Sequence, residues 1–422
     1  MLGWLLKTGA YTSLLRVVAM VVTLGFVALM SHWMPAADFG LLAMMMSGCT
    51  LAAAVGAFGQ PQLIVRDASS FIADGDLEQG HQICRVALWR SMIVSLPVGV
   101  AVMLFFWVYS GQIGFAIAAG LVAIGLAQLL AWAAVARSHE KYLWSLGPKD
   151  IFWRLGILGL TGVIVLTGNV PDIGIVSGFA VMVLLLLLGL QRHVFKLGQT
   201  QAVDQRQKHT LWGTSAAFMT SNLSNVAQNT LDVVLVGVFL TELAAAQYFP
   251  ANRLALLAGF FVLPLTMVIS PRFARQAKVN NFDAMQRLNS MATLFVTTGA
   301  MIVTGILLGL YDIYAPLFAT AGPDTYRALQ ILLLGQLVLA ALGFPSVVLN
   351  LTGHQYRQAR INVLFLIGFV IAFCGVGLLG LGIVAFAYVA AGSLILRKLV
   401  LAGVAYVHVG ISPLSLPKKG SK

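Results

Sequence analysis

One apolar stretch of the chain carries four polar residues at helical spacing. They are 3, 4 and 3 positions apart, which places them on one face of a helix: Asn222, Asn225, Asn229 and Asp232. Hydrocarbon cannot satisfy so many amide and carboxyl groups, so this face must meet other helices or water. Amides both donate and accept hydrogen bonds, which suits sugar hydroxyls. We interpret the stripe as the lining of a hydrated cavity, with interhelical hydrogen bonding as the alternative.

Charged side chains within apolar stretches are the other candidates for chemistry. They are costly at membrane depth and generally face a protein interior or a water-filled cavity. Arg16 lies in the first stretch, Asp232 in the seventh and Arg253 in the eighth. The alternative for both arginines is snorkelling to the nearest interface along their long stems. For Asp232 the alternative is a structural pairing role.

The sequence lacks the motifs of several other chemistries. It has no P-loop, and it has neither paired carboxylates nor a Ser/His/Asp arrangement within the apolar stretches. The three cysteines, Cys49, Cys84 and Cys374, have no metal-ligand spacing. We therefore predict no enzymatic activity, no cofactor and no metal site.

The composition is that of an integral membrane protein. Hydrophobic residues make up 59% of the chain and charged residues 9%, whereas soluble domains carry about 25% charged residues. The mean hydropathy is +0.90. The net charge of +12 is explained by anchoring to anionic lipid, so we do not expect nucleic-acid binding. The first apolar run is too long for a signal peptide and lacks a cleavage site, so we expect it to be retained.

The apolar runs reach the length of about 20 residues that a helix needs to cross a bilayer. They predict an all-α, polytopic protein with twelve spans: 9–31, 41–64, 86–108, 114–136, 151–168, 173–190, 212–238, 248–270, 290–310, 328–350, 361–378 and 381–397. The last two are separated by a turn at Gly380-Leu381-Gly382. The hydrophilic stretch in the middle predicts a six-helix lobe over residues 1–200, a cytoplasmic linker over 201–211, and a second six-helix lobe over 212–422.

Basic residues fall almost entirely on one side of these spans, which we call the basic side. The opposite loops contain only Arg327. The positive-inside rule therefore predicts that both termini are cytoplasmic in a bacterial inner membrane.

The two halves repeat a short pattern 209 positions apart. Ala-Ala-Asp-Phe at 36–39 precedes Arg66, and Ala-Ala-Gln-Tyr at 245–248 precedes Arg275. A second echo follows in each half, at Ser-His-Glu-Lys-Tyr 138–142 and Thr-Gly-His-Gln-Tyr 352–356. Related halves in a membrane are typical of transporters, in which one half rocks against the other around a midplane site.

These motifs resemble those of the MOP (multidrug/oligosaccharidyl-lipid/polysaccharide) superfamily, and within it the Wzx-like polysaccharide flippases. The resemblance rests on HWMPAADFGLLAMMM at 32–46, TELAAAQYFPANRLALL at 241–257, HEKY at 139–142 and GHQY at 353–356. It implies a V-shaped pair of six-helix bundles around a central cavity that opens to each side in turn. The implied cargo is an oligosaccharide on a polyprenyl diphosphate, flipped to the periplasmic leaflet.

The resemblance also implies roles for individual residues. Arg16 matches the cavity cations that meet the diphosphate, and Arg66 and Arg275 would receive the headgroup. Arginine suits a diphosphate because its planar fork donates two hydrogen bonds at once. With the amide stripe, the predicted substrate cavity comprises Arg16, Asn222, Asn225, Asn229, Asp232 and Arg253. The chain departs from the pattern in having few intramembrane cations.

We therefore expect a flippase for surface polysaccharide biosynthesis, of lipopolysaccharide or exopolysaccharide, that acts as a monomer. Its expected partners are the lipid-linked oligosaccharide, membrane lipids and a polysaccharide polymerase or ligase. The alternative is a cation-coupled multidrug or small-molecule antiporter that uses Asp232. The drug-exporting branch usually has a carboxylate within its first spans, where this chain has only Asp38, in the outer turn. A membrane glycosyltransferase or polymerase is disfavoured because the outer loops are short.

Overall fold

In the computed structural model, which describes residues 2–197, 205–279 and 281–412, every regular element of these ranges is helical. Eight of the described helices are long and apolar enough to cross a membrane, and one bent pair, Pro323–Ala341 with Pro345–Leu351, makes a ninth. The predicted all-α, polytopic fold is confirmed.

The first half of the described chain forms nine α-helices and two π-helical turns. The α-helices are α1 Leu2–Trp33, α2 Ala36–Gly56, α3 Gln60–Leu63, α4 Ser69–Ala73, α5 Leu77–Ser110, α6 Ile113–Ser138, α7 Tyr142–Leu146, α8 Trp153–Leu166 and α9 Ile173–Val194. The π turns are Ile64–Ala68, between α3 and α4, and Gly147–Phe152, between α7 and α8.

The second half of the described chain forms nine further α-helices. They are α10 Gln205–Phe239, α11 Glu242–Ala255, α12 Val262–Lys278, α13 Phe282–Gly309, α14 Tyr311–Tyr314, α15 Pro323–Ala341, α16 Pro345–Leu351, α17 Gln355–Leu378 and α18 Ile383–Val409. Two 3-10 turns, Leu256–Gly259 and Ala315–Leu317, follow α11 and α14.

Each of the twelve predicted spans coincides with one of these helices or with a broken pair. Four of them differ from a continuous helix. The fifth contains α8, which is only 14 residues long, and the second, eighth and tenth spans are broken between α2 and α3, between α11 and α12 and between α15 and α16. The seventh predicted span lies within α10, whose stretch Val226–Phe239 is apolar.

The breaks recur in the two halves. Helix α2 ends at Gly56 because Phe58 and Gly59 adopt positive φ angles of 46° and 67°. Its counterpart α11 ends in the 3-10 turn Leu256–Gly259. The aromatic residues of the repeated pattern, Phe39 and Tyr248, are both fully buried. The two halves thus share the position of a buried aromatic and a break in the following helix.

The chain divides into two compact units, Met1–Val238 (unit 1) and Phe239–Lys422 (unit 2). This division falls at the end of α10, whereas the predicted linker lies at its start. Residues 201–204 of the linker lie outside the described ranges, and residues 205–211 belong to α10. Helix α10 belongs to unit 1 because it packs on α2 and α5. The Tyr109 hydroxyl donates a hydrogen bond to the Gly237 carbonyl at 2.8 Å, and Val234 lies over Gly48. The division into two six-helix lobes stays a prediction.

Helix α6 is the central helix of unit 1 and packs against α2, α5 and α9. It is rich in Ala and Gly, and small residues let membrane helices approach closely. Gly120 lies so near the Gly99 carbonyl of α5 that an added Cβ would come within 2.7 Å of that oxygen. Because α6 sits in the middle, the charged residues at its end are held against several other elements.

Candidate functional site

Three arginines from different helices share one carboxylate as an electrostatic partner on the basic side of unit 1. Arg16 of α1, Arg137 of α6 and Arg154 of α8 each interact electrostatically with Asp150. Lys149 forms an ion pair with the same carboxylate. We call these five residues the arginine cluster. It contains four basic side chains and one acidic one, so the cluster itself carries a net charge of +3.

The acidic residue of the cluster is held by a π-helical turn, Gly147–Phe152. The Arg154 guanidinium fixes this turn, because its Nη1 donates to the Asp150 carbonyl at 2.7 Å and to the Lys149 carbonyl at 3.4 Å. The Nε–H of Arg154 is buried and has no hydrogen-bond partner among the described residues. Since buried donors are nearly always paired, this donor indicates room for a further acceptor such as a water or a ligand oxygen.

A cavity of about 360 Å³ connects the arginine cluster to Arg66. Pro61, Gln62, Val65, Arg66 and Arg137 line it. The Oε1 atom of Gln62 is buried without a hydrogen-bond partner in the described part of the chain. The cavity therefore offers two guanidinium groups and one amide oxygen, a combination that suits a phosphate attached to a sugar.

Arg66 sits on the other π turn, Ile64–Ala68, and is mostly exposed. Its Nε and Nη2 donate to the two carboxylate oxygens of Asp67, at 2.6 and 2.9 Å. This bidentate bond raises the pKa of Arg66 above its ordinary value, so the guanidinium stays charged. Both charged sites on this side thus lie at π turns, which are frequent at functional sites.

The polar stripe of α10 is only partly described. Asp232 is 1% exposed, and one of its carboxylate oxygens accepts a hydrogen bond from the Val233 N–H at 2.9 Å. Asn222 and Asn229 are half-buried, and the side chain of Asn225 lies outside the description. On the flank of the stripe, the Gln60 amide donates to the Ser215 hydroxyl at 3.0 Å. This end of α10 is thereby tied to the segment that leads into the Arg66 cavity.

A separate cavity of about 300 Å³ lies beside the apolar half of α10. Its lining is almost entirely apolar and includes Phe105, Leu231 and Val234. Asp232 is not among the residues that line it. The role of the stripe as the lining of a hydrated cavity stays a prediction.

The two predicted site arginines of unit 2 lie on neighbouring helices. The Arg253 guanidinium of α11 lies over the Phe249 ring, 4.7 Å from its centroid, a distance typical of a cation–π contact. Arg275 is exposed on α12. Their roles in cargo binding also stay predictions.

Arg137 and Arg154 were not predicted as site residues; in the sequence they stand out only as part of the basic side. No spacing rule connects residues 16, 137 and 154, since they meet only through the packing of α1, α6 and α8. Arg137 is the residue that links the predicted cavity cation Arg16 to the predicted headgroup residue Arg66. It interacts with the charge of Arg16 and lines the same cavity as Arg66.

Comparison with protein families gives a match to the family described as polysaccharide biosynthesis protein, over residues 5–276. This range includes the arginine cluster, Arg66 and the polar stripe. Curated proteins give no match.

Solved structures share the fold over nearly the whole chain. The protein is similar to a multidrug resistance MATE family transporter of the MOP superfamily in its inward-facing conformation, with a TM-score of 0.73 and 14% identity over 94% of this chain and 98% of that one. A Vibrio cholerae MATE transporter gives a TM-score of 0.64 and 16% identity, covering 96% and 97%. A MOP superfamily transporter from Pyrococcus furiosus, whose binding pocket has reverse polarity, gives 0.59 and 12%, covering 96% and 95%.

The family match covers more than half of the chain, and the structural matches identify its fold. The resemblance inferred from the sequence motifs is therefore confirmed. The chain belongs to the polysaccharide biosynthesis protein family, and its fold is that of the membrane transporters of the MOP superfamily.

Proposed function

We propose that the protein flips a polyprenyl-diphosphate-linked oligosaccharide from the cytoplasmic to the periplasmic leaflet of a bacterial inner membrane. The cargo would serve the assembly of a surface polysaccharide by a polymerase or ligase. The observation that carries this proposal is the arginine cluster, together with the cavity that joins Arg137 to Arg66. Transport of this kind needs binding and release of an anion, and it breaks no covalent bond.

The charge of the cluster fits an anionic headgroup. A diphosphate presents several acceptor oxygens, and guanidinium groups bind such oxygens in pairs. Asp150 is the single described carboxylate among the four basic side chains, and it is already paired with Lys149. Without cargo, this carboxylate limits the repulsion among Arg16, Arg137 and Arg154. With cargo, the diphosphate takes over part of that role.

The positions of the arginines suggest an order of contact. Arg66 is exposed and would meet the headgroup first, and Arg137 shares its cavity. Arg16 lies within the first span and would hold the diphosphate at the start of the crossing. An inside-negative potential favours outward movement of the anion by about 2.3 kcal/mol per charge per 100 mV. The amides of α10 would contact the sugar or its hydration water.

The test compares Arg137→Gln and Arg16→Gln with a matched control, Arg287→Gln. Arg287 is an exposed arginine on α13, outside the proposed site. All three variants lose one positive charge, so a general charge effect would appear in each. We expect surface-polysaccharide assembly to fall at least tenfold in the first two variants at equal membrane levels and to stay normal in the control. Normal assembly in both site variants would overturn the proposal.

A second candidate is the cation-coupled antiporter, and the burial of Asp232 favours it. A carboxylate that is 1% exposed within a span is a candidate functional site. The drug-exporting branch usually has a carboxylate in its first spans. In this chain the carboxylate of α1 and α2 is that of Asp38, in the first turn of α2. It accepts a hydrogen bond from the Ile173 N–H at 3.3 Å. Drug efflux that is abolished by Asp232→Asn, without any polysaccharide defect, would favour this candidate.

A further inference from the structure

A further cavity of unit 1 lies outside the proposed transport site. It has a volume of about 720 Å³ and is formed by α5, α6, α9 and the residues that follow α9. None of its lining residues belongs to the arginine cluster or to the Arg66 cavity. The proposed transport function therefore leaves this cavity unexplained.

The lining is divided into a charged end and an apolar wall. Arg85, Arg192 and Lys196 line the charged end, and all three are exposed. Among the described residues that line the cavity there is no acidic side chain. The charged end therefore favours an anion over a cation or a zwitterion.

The apolar wall extends from the cations toward the membrane interior. On α5, Arg85 is followed by Trp89 and Met92 at intervals of one helical turn, so all three lie on one face. On α9, Leu188 lies one turn from Arg192 on the membrane side. Trp89 is 68% exposed near the basic end of this span, where indole rings typically lie at the membrane interface. Along the membrane normal, the cations are thus followed by apolar surface. A phospholipid has the same order, with its phosphate followed by its acyl chains.

The floor of the charged end is fixed by aromatic packing. Phe195 is buried, and its ring lies 5.6 Å from the ring of His139. Lys141 lies over the same Phe195 ring, 5.1 Å from its centroid. The His139 ring nitrogen in turn lies 3.2 Å from that of His81 at the start of α5. These contacts hold together the start of α5, the end of α6 and the residues that follow α9, so the positions of the cations are fixed.

We infer that this cavity binds one anionic glycerophospholipid from the leaflet on the basic side. Its phosphodiester lies among Arg85, Arg192 and Lys196, and one acyl chain lies along Trp89, Met92 and Leu188. Basic pockets between membrane helices are known to bind anionic headgroups in this way. The bound lipid joins α5 to α9 across α6 and so stabilises unit 1. A soluble anion would leave the apolar wall unused, and a zwitterionic lipid would lack a partner for its cation.

The test measures lipid binding to the purified full-length protein by native mass spectrometry, with phosphatidylglycerol and phosphatidylcholine of identical acyl chains as probes. We expect phosphatidylglycerol to bind at least tenfold more tightly. Each of Arg85→Gln and Arg192→Gln should weaken its binding about fivefold. Trp89→Ala, which keeps every cation, should also weaken it. A matched control, Arg272→Gln with Arg360→Gln, removes two exposed cations of unit 2 and should leave binding within twofold of the parent.

Several outcomes would overturn the inference. They are equal binding of the two lipids, equal losses in the site and control variants, and no effect of Trp89→Ala. Preferential binding of a polyprenyl phosphate at this cavity would also overturn it. Because Arg85, Arg192 and Trp89 lie outside the arginine cluster, loss of lipid binding with normal cargo transport leaves the proposed function intact. The reverse result leaves the lipid site intact.

Discussion

The guanidinium of Arg154 donates a hydrogen bond to the backbone carbonyl of Asp150, 2.7 Å away, and so holds the π turn that presents the one carboxylate of the arginine cluster. The same side chain contributes a positive charge to the cluster. Arg154 is therefore both a structural clamp of the turn and a cation of the proposed site, and the two roles can be separated by substitution.

The first prediction separates these roles. Arg154→Lys keeps the charge but loses the planar fork, whereas Arg154→Gln loses the charge. We expect transport to fall severalfold in the first variant and at least tenfold in the second, because lysine binds phosphate only as a point charge. The measurement is the initial rate of headgroup translocation in proteoliposomes. Equal rates for the two variants and the parent would contradict a role in cargo binding.

The second prediction concerns the counter-charge. Asp150→Asn raises the net charge of the cluster from +3 to +4. A short polyprenyl diphosphate such as farnesyl diphosphate should therefore bind about fivefold more tightly, an effect of about 1 kcal/mol. Release should slow, so the translocation rate should fall. Asp150→Glu keeps the charge and serves as the control; weaker binding by Asp150→Asn than by Asp150→Glu would show that the carboxylate acts mainly as a structural anchor.

The third prediction concerns the break between α15 and α16. In an unbroken helix the Gly343 N–H would donate to the Leu339 carbonyl, but here it donates to the Ala340 carbonyl at 3.2 Å. The ammonium group of Lys398 on α18 donates to the Leu339 carbonyl instead. Lys398→Met should therefore cost about 1–3 kcal/mol of unfolding free energy in mixed micelles, since it leaves a carbonyl unpaired. Leu396→Met, at an exposed position of the same helix, should cost far less.

The fourth prediction concerns Gly343 itself, whose φ is +67°. A Cβ at this position would come within 2.6 Å of the Thr293 hydroxyl oxygen. Gly343→Ala should therefore destabilise the protein in two ways, by a backbone strain of about 1–2 kcal/mol and by a steric clash. Gly353 has a φ of +83° and nothing within 4 Å of such a Cβ, so Gly353→Ala isolates the strain. A melting temperature for Gly343→Ala no lower than that of Gly353→Ala would contradict the clash.

Much of the fold follows from the sequence, because apolar runs long enough to cross a bilayer have few alternatives. The turn at Gly380-Leu381-Gly382 is such a case: α17 ends at Leu378, α18 begins at Ile383, and Gly380 has a φ of +65°. The packing of α10 on α2 and α5 was not predicted. The hydrophilic stretch at the start of α10 indicates a boundary there, but it carries no information on which helices α10 contacts.

The candidate site was predicted less completely than the fold. Arg16 and Arg66 stand out in the sequence by their positions relative to the apolar runs. Arg137 and Arg154 do not, because any chain of this charge has arginines at the ends of its spans. They differ from the other arginines because both interact electrostatically with Asp150. This interaction depends on the packing of three helices and on a π turn that has no sequence signature.

The most direct test of the account is headgroup translocation by the reconstituted protein. Proteoliposomes would contain a polyprenyl-diphosphate-linked oligosaccharide, and its appearance in the opposite leaflet would be followed with a membrane-impermeant enzyme that cleaves the exposed glycan. We predict rapid translocation by the parent and by the control Arg287→Gln, and at least tenfold slower translocation by Arg137→Gln. Equal rates for Arg137→Gln and the parent, or no translocation by the parent above protein-free vesicles, would contradict the account.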